Sequence, residues 1–281
     1  MNQLLKSRLK SRNPHERDSQ IKFYERGHRY EILTDPKSKH TSVTTWVHKH
    51  FPRFDADAII ANIFKSKGWG PDHKYWGQSA EQIKASWNAG GLIASSAGTS
   101  LHQRIENFMN DERCIEHFTT HKELYEGYCS DIKDLKDLKE WEYFLQFVKD
   151  HPELKPYRTE WMIFDEDLKI AGSIDMVYEN PDGTLSIYDW KRSKDISSIN
   201  DWNKCAINPL IGHMPDANFW HYSLQLNMYK AILERKYNKN VTNLCLVRLH
   251  PDADTYELLD VPILTKEMDD LFEERLKEVS L

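Results

Sequence analysis

The stretch GSIDMVYENPDGTLSIYDWK, residues 172–191, restricts the possible folds of this chain more than any other segment. The runs Ile170 to Tyr178 and Thr184 to Lys191 are rich in Ile, Val, Tyr, Trp and Thr and read as strands. Between them lies Asn-Pro-Asp-Gly. Pro181 presets the first corner of a type I turn, Asp182 suits the second, and Gly183 can take the left-handed conformation that follows. A hairpin loop of this kind, closed by a glycine bulge, pairs Asn180 with Thr184, and counting outward sets Asp175 opposite Asp189. Lys191 lies two residues further on and leaves by the same face. Like charges directly opposite one another destabilise a sheet, so this pairing predicts a positive group between the two carboxylates.

The preceding segment, YRTEWMIFDEDLKIAGSID, reads as a second hairpin with its turn in the acidic patch Asp165 to Asp167. Taking Asp165 opposite Leu168 places Glu160 opposite Ser173 and on the face of Asp175. This turn lacks Gly and Pro, and a one-residue slip would send Glu160 to the other face. Three carboxylates and a lysine on one face suggest a divalent-cation site of the Mg²⁺ or Mn²⁺ type, because hard cations prefer carboxylate, carbonyl and water oxygens. The plainer alternative is a solvated face of Asp–Lys pairs, which are common and weak. Strands as apolar as SIYDW and IAGSIDMV read as covered on both faces, where unpartnered carboxylates are costly, and that favours a site.

GSIDMV, then IYDWKRSK, then YSLQLNMY resemble, in order, the motifs of the PD-(D/E)XK nucleases, and more narrowly their RecB-like branch. That branch pairs G-x-(I/V)-D with D-x-K and follows with Q-x-x-x-Y on a helix. Upstream, AGTSLHQRIENFM resembles its G-T-x-x-H-x-x-I-E helix. HTSVTTWV and NPLIGHMPDANFWHYSLQL are similar to segments of the mitochondrial genome maintenance exonuclease and related viral and phage nucleases. The resemblance runs from residue 40 to 235 and implies a DNA nuclease dependent on one or two Mg²⁺ or Mn²⁺ ions. The expected action is that of an exonuclease on single strands or DNA ends, in replication, repair or recombination. Endonuclease action or an RNA substrate is the alternative within that class, and a non-catalytic nucleic-acid-binding member of the fold is the alternative outside it. A pure binder has no need for Asp175, Asp189 and Lys191 together.

The resemblance also assigns roles. Asp175, Asp189, His102 and the Trp190 carbonyl are expected to hold metal. Lys191, Gln225 and Tyr229 are expected to complete the catalytic group, with Gln225 near Lys191 beside the scissile phosphate, and Glu160 joins them on the strength of the hairpin count. Lys191 would position the attacking water or stabilise transition-state charge, which an ammonium does only when held and partly desolvated. Spacing alone is less committal. His102 and Glu106 share a helical face beside Leu101, Ile105 and Phe108, where a histidine is commonly structural. Glu106 either orients that imidazole or solvates the helix. Gln225 and Tyr229, also four apart, fit an ordinary amphipathic helix.

A net charge of −6 over 281 residues does not advertise a nucleic-acid binder, so binding would need a local basic groove. FKSKGWGPDHKYWGQS interleaves Lys65, Lys67 and Lys74 with Trp69, Tyr75 and Trp76, a pattern suited to stacking on unpaired bases. An ordinary loop with packed tryptophans has the same composition. The connection from Asp195 to His221 is long and carries Trp202, Phe219, Trp220 and His221, with Trp220 a third stacking candidate. Acids concentrate in Asp131 to Glu142 and in EMDDLFEERLKE, both readable as solvated helices. Cys114, Cys129, Cys205 and Cys245 form no C-x-x-C pair, which argues against a zinc ribbon and fits a reducing compartment. With no Cys after Cys245, the iron–sulfur cluster of some RecB-like enzymes is not expected. No run is long and apolar enough to span a membrane, and no signal-peptide core is present. The acid-free MNQLLKSRLKSRNPH faintly resembles a mitochondrial presequence and equally suits a disordered tail touching nucleic acid. Localisation stays open between cytoplasm and nucleus.

The expected architecture is α/β: a restriction-endonuclease-like mixed sheet flanked by helices, with N-terminal helices as a wall or arch over the site. Residues 1–20 are expected as a flexible basic tail. Residues 21–281 are expected as a single domain, mainly helical over 21–150 and carrying the core sheet and Gln225 helix over 151–281. Helices are predicted at Asp55 to Lys65, Ala80 to Asn110 with a break at Gly90, Lys122 to Asp150, around Gln225, and from Thr265. Strands are predicted at 157–164, 169–178 and 184–191, at NLCLVRLHP, and at the edge in TYELLDVP.

Overall fold

The Asn-Pro-Asp-Gly turn forms as its residues dictate. In a computed structural model that describes residues 8–110, 120–129, 138–200 and 202–280, Asn180 N donates to Thr184 O at 2.8 Å and Gly183 takes φ +81°. The elements begin with α1 (Arg8–Arg12), β1 (Ile21–Tyr24), β2 (Arg29–Ile32), β3 (Thr41–Ser42) and α2 (Val43–His48). Next come α3 (Ala56–Lys65), α4 (Ala80–Met109), α5 (His121–Cys129) and α6 (Lys139–Asp150). Then follow β4 (Lys155–Asp165), β5 (Ile170–Glu179), β6 (Leu185–Lys191), α7 (Asn218–Lys236), β7 (Val241–Arg248), β8 (Glu257–Asp260) and α8 (Thr265–Val279).

Strands β3 to β8 form one mixed sheet. The hairpins β4–β5 and β5–β6 are antiparallel, whereas β6 and β7 run parallel, joined by a crossover that contains α7. The register that the turn predicted holds from Glu179↔Leu185 to Met176↔Tyr188, where the pairing stops, one step short of Asp175 and Asp189. Side chains alternate between two buried layers. Val177, Ile187, Leu244 and Leu246 pack with Leu224, Met228 and Ile232 of α7, and Tyr178, Trp190 and Val247 pack with Phe108, Trp141, Phe144 and Phe147. Each fully buried aliphatic side chain of these layers contributes about 1.5–3 kcal/mol. Asp175, Asp189 and Lys191 share the α7 face with Val177 and Ile187, so the strands that carry them are covered on both sides. Among the described residues no helix is long and apolar enough to cross a membrane.

The chain separates into two compact units, Met1–Pro52 with Leu101–Leu281 and Arg53–Ser100. Several expectations change. Residues 21–32 form the antiparallel hairpin β1–β2 inside the stretch read as mainly helical. Helix α4 runs unbroken through Gly90 and Gly91. A glycine costs a helix only about 1 kcal/mol relative to alanine, less than losing the hydrogen-bond ladder around it. The acidic segment read as a solvated helix from Asp131 lies outside the described residues over 131–137, and its Glu140 is buried against Arg192, Nε to Oε1 2.8 Å.

The expected flexible tail is fastened down from Arg8 onward, while residues 1–7 lie outside the described residues. Leu9 is buried and its N donates to Asn110 Oδ1 at 3.1 Å. Asn13 Nδ2 donates to Tyr157 O at 2.8 Å. Asp18 accepts both guanidinium branches of Arg158, at 2.9 and 3.0 Å, and the Trp161 indole N–H at 3.1 Å. Basic composition suggested solvation, but one apolar side chain and one buried ion pair outweigh it. Burial pushes the Asp18 carboxyl up, and the Arg158 guanidinium more than offsets this, holding it below its ordinary value. A depressed acid stabilises the fold above its unfolded pKa and loses that contribution as pH falls through the folded one. Asp18→Ala, which strands Arg158 in the interior, is therefore expected to lower stability by about 3–5 kcal/mol at neutral pH. The gap to wild type should narrow below about pH 4 in denaturant titrations, since protonation then removes the same partner from the native chain.

Candidate active site

Strand β5 forks. Strand β4 follows one edge from end to end, while the other edge carries β3 at Ile170–Ala171 and β6 at Met176–Glu179. Residues 172–175 sit in the gap, without a strand partner on that edge among the described residues. A Cβ at Gly172 would lie 2.7 Å from Tyr229 Cε1 and 3.0 Å from Val43 Cγ2, so only glycine lets the Tyr229 ring rest against the strand. Asp175 closes the fork, with its Oδ2 accepting from Trp190 N at 3.1 Å.

The remaining groups converge there from separate elements. His102, on α4, donates through Nε2 to the Trp190 carbonyl at 2.9 Å and turns Nδ1 toward Asp175 Oδ2 (3.5 Å) and Glu160 Oε1 (3.9 Å). Glu160 Oε2 accepts from Ser173 Oγ at 3.1 Å. On the α7 face, Lys191 Nζ lies 2.6 Å from Asp189 Oδ2. Gln225 Nε2 donates to Asp189 Oδ1 and to Tyr229 Oη, both at 3.2 Å. Burial of these groups sets their electrostatics. It raises the Asp175 and Asp189 carboxyls, with His102 and Lys191 respectively opposing it most. Burial acts against the His102 charge, yet Asp175 and Glu160 push it up to about 9. Burial likewise opposes the Lys191 ammonium, and Asp189 and Asp175 raise it nevertheless. Three carboxylates thus share two side-chain cations, the excess of negative charge that a divalent ion relieves.

The donor atoms fit such an ion. Ligand atoms of His102, Glu160 and Asp175 all lie within 4.8 Å of one another. Carboxylate oxygens with one imidazole nitrogen are a donor set that suits a divalent metal ion. The Trp190 carbonyl fixes His102 with its proton on Nε2, which leaves Nδ1 as the donor once the ring is neutral. Asp189 Oδ2 is buried and no hydrogen-bond donor is aligned on it; the Lys191 ammonium faces it as a charge contact. Of the four ligands expected from sequence, His102 and Asp175 thus gather with Glu160, while Asp189 faces Lys191 and Gln225. The Trp190 carbonyl is engaged by His102.

The second hairpin differs from its sequence reading. Asp165 pairs with Ile170, and Met162 rather than Glu160 pairs with Ser173, so the register moves by two residues. A two-residue shift preserves the face, which is why Glu160 still meets Asp175's surroundings. Glu160 takes φ 42°, a left-handed conformation that is uncommon outside glycine, Asn and Asp. Glu106 accepts from Gln103 Nε2 at 3.0 Å, while both imidazole nitrogens of His102 face other groups. Three nearby residues escaped the sequence reading. Ser173 holds Glu160, and Tyr30 of β2 lies where burial, then Glu160 and Asp175, raise its hydroxyl. Tyr222 places its ring under Lys191 Nζ, 4.4 Å from the centroid. Only Tyr222 had a signal, three residues before Gln225 on the same helical face.

The stacking candidates divide. In the smaller unit Trp69 packs among Phe64, His73 and Trp76 at centroid distances of 4.7, 5.0 and 5.2 Å, while Trp76 is 48% exposed. Lys65, Lys67 and Lys74 are exposed. Trp220 is half-buried, and its indole N–H donates to Ser198 O at 3.0 Å. Cys205 and Cys245 are free thiols, and Cys114 lies outside the described residues.

A profile described as the PD-(D/E)XK nuclease superfamily matches residues 73–280. No curated protein matches the sequence. Among solved structures, one titled "Crystal structure of SSO0001" is similar at 15% identity, over 57% of this chain and 84% of that one, with a TM-score of 0.23, too low to carry an argument.

Proposed function

The chain belongs to the PD-(D/E)XK nuclease superfamily, and from that membership we propose that it is a metal-dependent DNA nuclease, an exonuclease acting on single strands or DNA ends. The observation that carries the nuclease reading is the convergence of His102, Glu160 and Asp175 beside the Asp189–Lys191 pair at the fork of β5. The RecB-like assignment is supported by His102 and by Gln225–Tyr229 lying around that cluster.

In this reading His102, Glu160 and Asp175 hold Mg²⁺ or Mn²⁺, with Asp189 close by. When bound, such an ion polarises the phosphate and lowers the pKa of an attacking water. Lys191 contributes a fixed, largely desolvated ammonium where charge accumulates in the transition state. Gln225 fixes the Asp189 carboxylate through one amide proton and spends the other on Tyr229. Tyr229, seated on Gly172, anchors that amide to the strand floor.

Digestion of end-labelled single- and double-stranded DNA and RNA, with Mg²⁺, Mn²⁺ or EDTA, tests the proposal. Mononucleotide release from single-stranded DNA ends is expected in either metal and none in EDTA. Internal cuts in circular DNA would replace exonuclease with endonuclease action. Full activity in EDTA would remove the metal site. For strand binding, the exposed Trp76 is the best placed of the three tryptophans to stack on bases. Trp76→Ala is expected to weaken single-strand binding by about 1–3 kcal/mol. Trp69→Ala should lower thermal stability instead, and fluorescence anisotropy with a melting curve separates the two effects.

A further inference from the structure

The Lys191 ammonium has two neighbours of different kinds. One is Asp189 Oδ2 at 2.6 Å, and the other is the face of Tyr222, whose ring centroid lies 4.4 Å from Nζ. Tyr222 is on α7 three residues before Gln225, so one helical face presents the ring to Lys191 and the amide to Asp189. We propose that Tyr222 is a positioning residue for the reaction, a cation–π cradle that keeps the Lys191 ammonium at the site when Asp189 is drawn toward a bound divalent ion. The proposal rests on the nuclease reading of the site.

The physical case concerns what each neighbour asks of the ammonium. The Asp189 carboxylate holds it as a charge contact, and that hold weakens when the same negative charge is shared with a metal ion. An aromatic face holds the charge through its quadrupole and needs no single N–H aimed at it. A cation paired only with Asp189 would lose its anchor once a divalent ion withdrew density from that carboxylate. The four-carbon lysine stem would then be free to swing, at the entropic cost that flexible catalytic groups carry. With Tyr222 beneath it, the ammonium stays in place and its protons remain available to a phosphate oxygen or the attacking water. The surroundings are dry enough for this to matter: the Lys191 side chain is 17% exposed and that of Asp189 2%. A desolvated cation gains more from a ring face than an exposed one.

The test uses the full chain and varies the ring. Tyr222→Leu should slow single-turnover cleavage of an oligonucleotide by about tenfold to thirtyfold, the range expected for a desolvated cation–π contact. Binding of the same oligonucleotide, measured with Ca²⁺ in place of Mg²⁺, should hold steady. Tyr222→Phe keeps the ring and should rescue most of the rate. In a Lys191→Ala background the Leu substitution should add no further loss, because a residue acting through Lys191 has nothing left to position. Equal slowing by Leu and Phe, additive losses with Lys191→Ala, or a parallel fall in DNA binding would each overturn the cradle. A ring-current shift on the Lys191 ε-methylene protons, kept in Phe and lost in Leu, reads the contact without catalysis. Absence of that shift in the wild type refutes the cradle and leaves the nuclease reading standing. The shift present in a wild type that cleaves nothing with either metal refutes the nuclease reading, and with it the cradle's catalytic role.

Discussion

Asp175→Ala is expected to reduce metal-dependent cleavage by about a thousandfold or more, equivalent to about 4 kcal/mol of lost transition-state stabilisation. The carboxylate stands where His102 Nδ1, Glu160 and the Trp190 amide meet, so its removal dissolves the cluster of donor atoms rather than trimming one contact. The fold should survive. Asp175 is half-buried beside Glu160, and without a metal burial and then repulsion from Glu160 work against its charged form. Losing that repulsion offsets the lost hydrogen bond from Trp190 N. In EDTA the mutant should therefore melt at or slightly above the wild-type temperature. Mg²⁺ or Mn²⁺ should raise the melting temperature of the wild type and leave the mutant where it was, because a ligand stabilises only the state that binds it. Wild-type cleavage by the mutant would remove Asp175 from the mechanism, and a collapsed fold would recast it as a structural residue.

Lys191→Ala separates chemistry from binding. Its expected signature is a loss of about 10²–10³ in single-turnover rate, the range for deleting one preorganised charge-stabilising donor. DNA affinity should fall far less, since an interaction made chiefly in the transition state disappears from turnover rather than from ground-state binding. Metal binding should persist, as His102, Glu160 and Asp175 are untouched. Lys191→Ala also strands the buried Asp189 carboxylate, so a lowered melting temperature in EDTA that Mg²⁺ partly restores belongs to the same expectation. If rate and affinity fall by one common factor, Lys191 is a phosphate clamp and not a transition-state group.

Legibility in the sequence followed the strength of local turn chemistry. Pro181 and Gly183 leave one sensible loop, and the register counted from it holds from Glu179↔Leu185 to Met176↔Tyr188. The β4–β5 turn had no such residue. There the Asp165 carboxylate accepts from the backbone N–H of Asp167 and Leu168, and Lys169 takes φ 52°, making a longer loop than the one assumed. Glu160 kept its face because a strand repeats every two residues, while its left-handed backbone left no trace in the amino-acid pattern. Tertiary partners were equally invisible. Nothing near Asp18 in sequence announces Arg158, and nothing near His102 announces the Trp190 carbonyl 88 residues away. The unbroken α4 shows the opposite error, a local breaker signal overridden by the helix around it.

The fork of β5 bears on when the proposed site is assembled as well as on where it lies. The working groups come from α4, β4, β5, β6 and α7, spread from His102 to Tyr229, and β6 is held in the sheet by a parallel partner that emerges after α7. Chains fold as they are made, N-terminal portions first, and parallel pairings across a crossover form late because a long loop must close before they repay it. A ribosome-bound chain lacking β7 can close the β5–β6 hairpin, but the parallel neighbours of Asp189 and Lys191 are still missing. The full group of side chains is present only once α7 has followed β6.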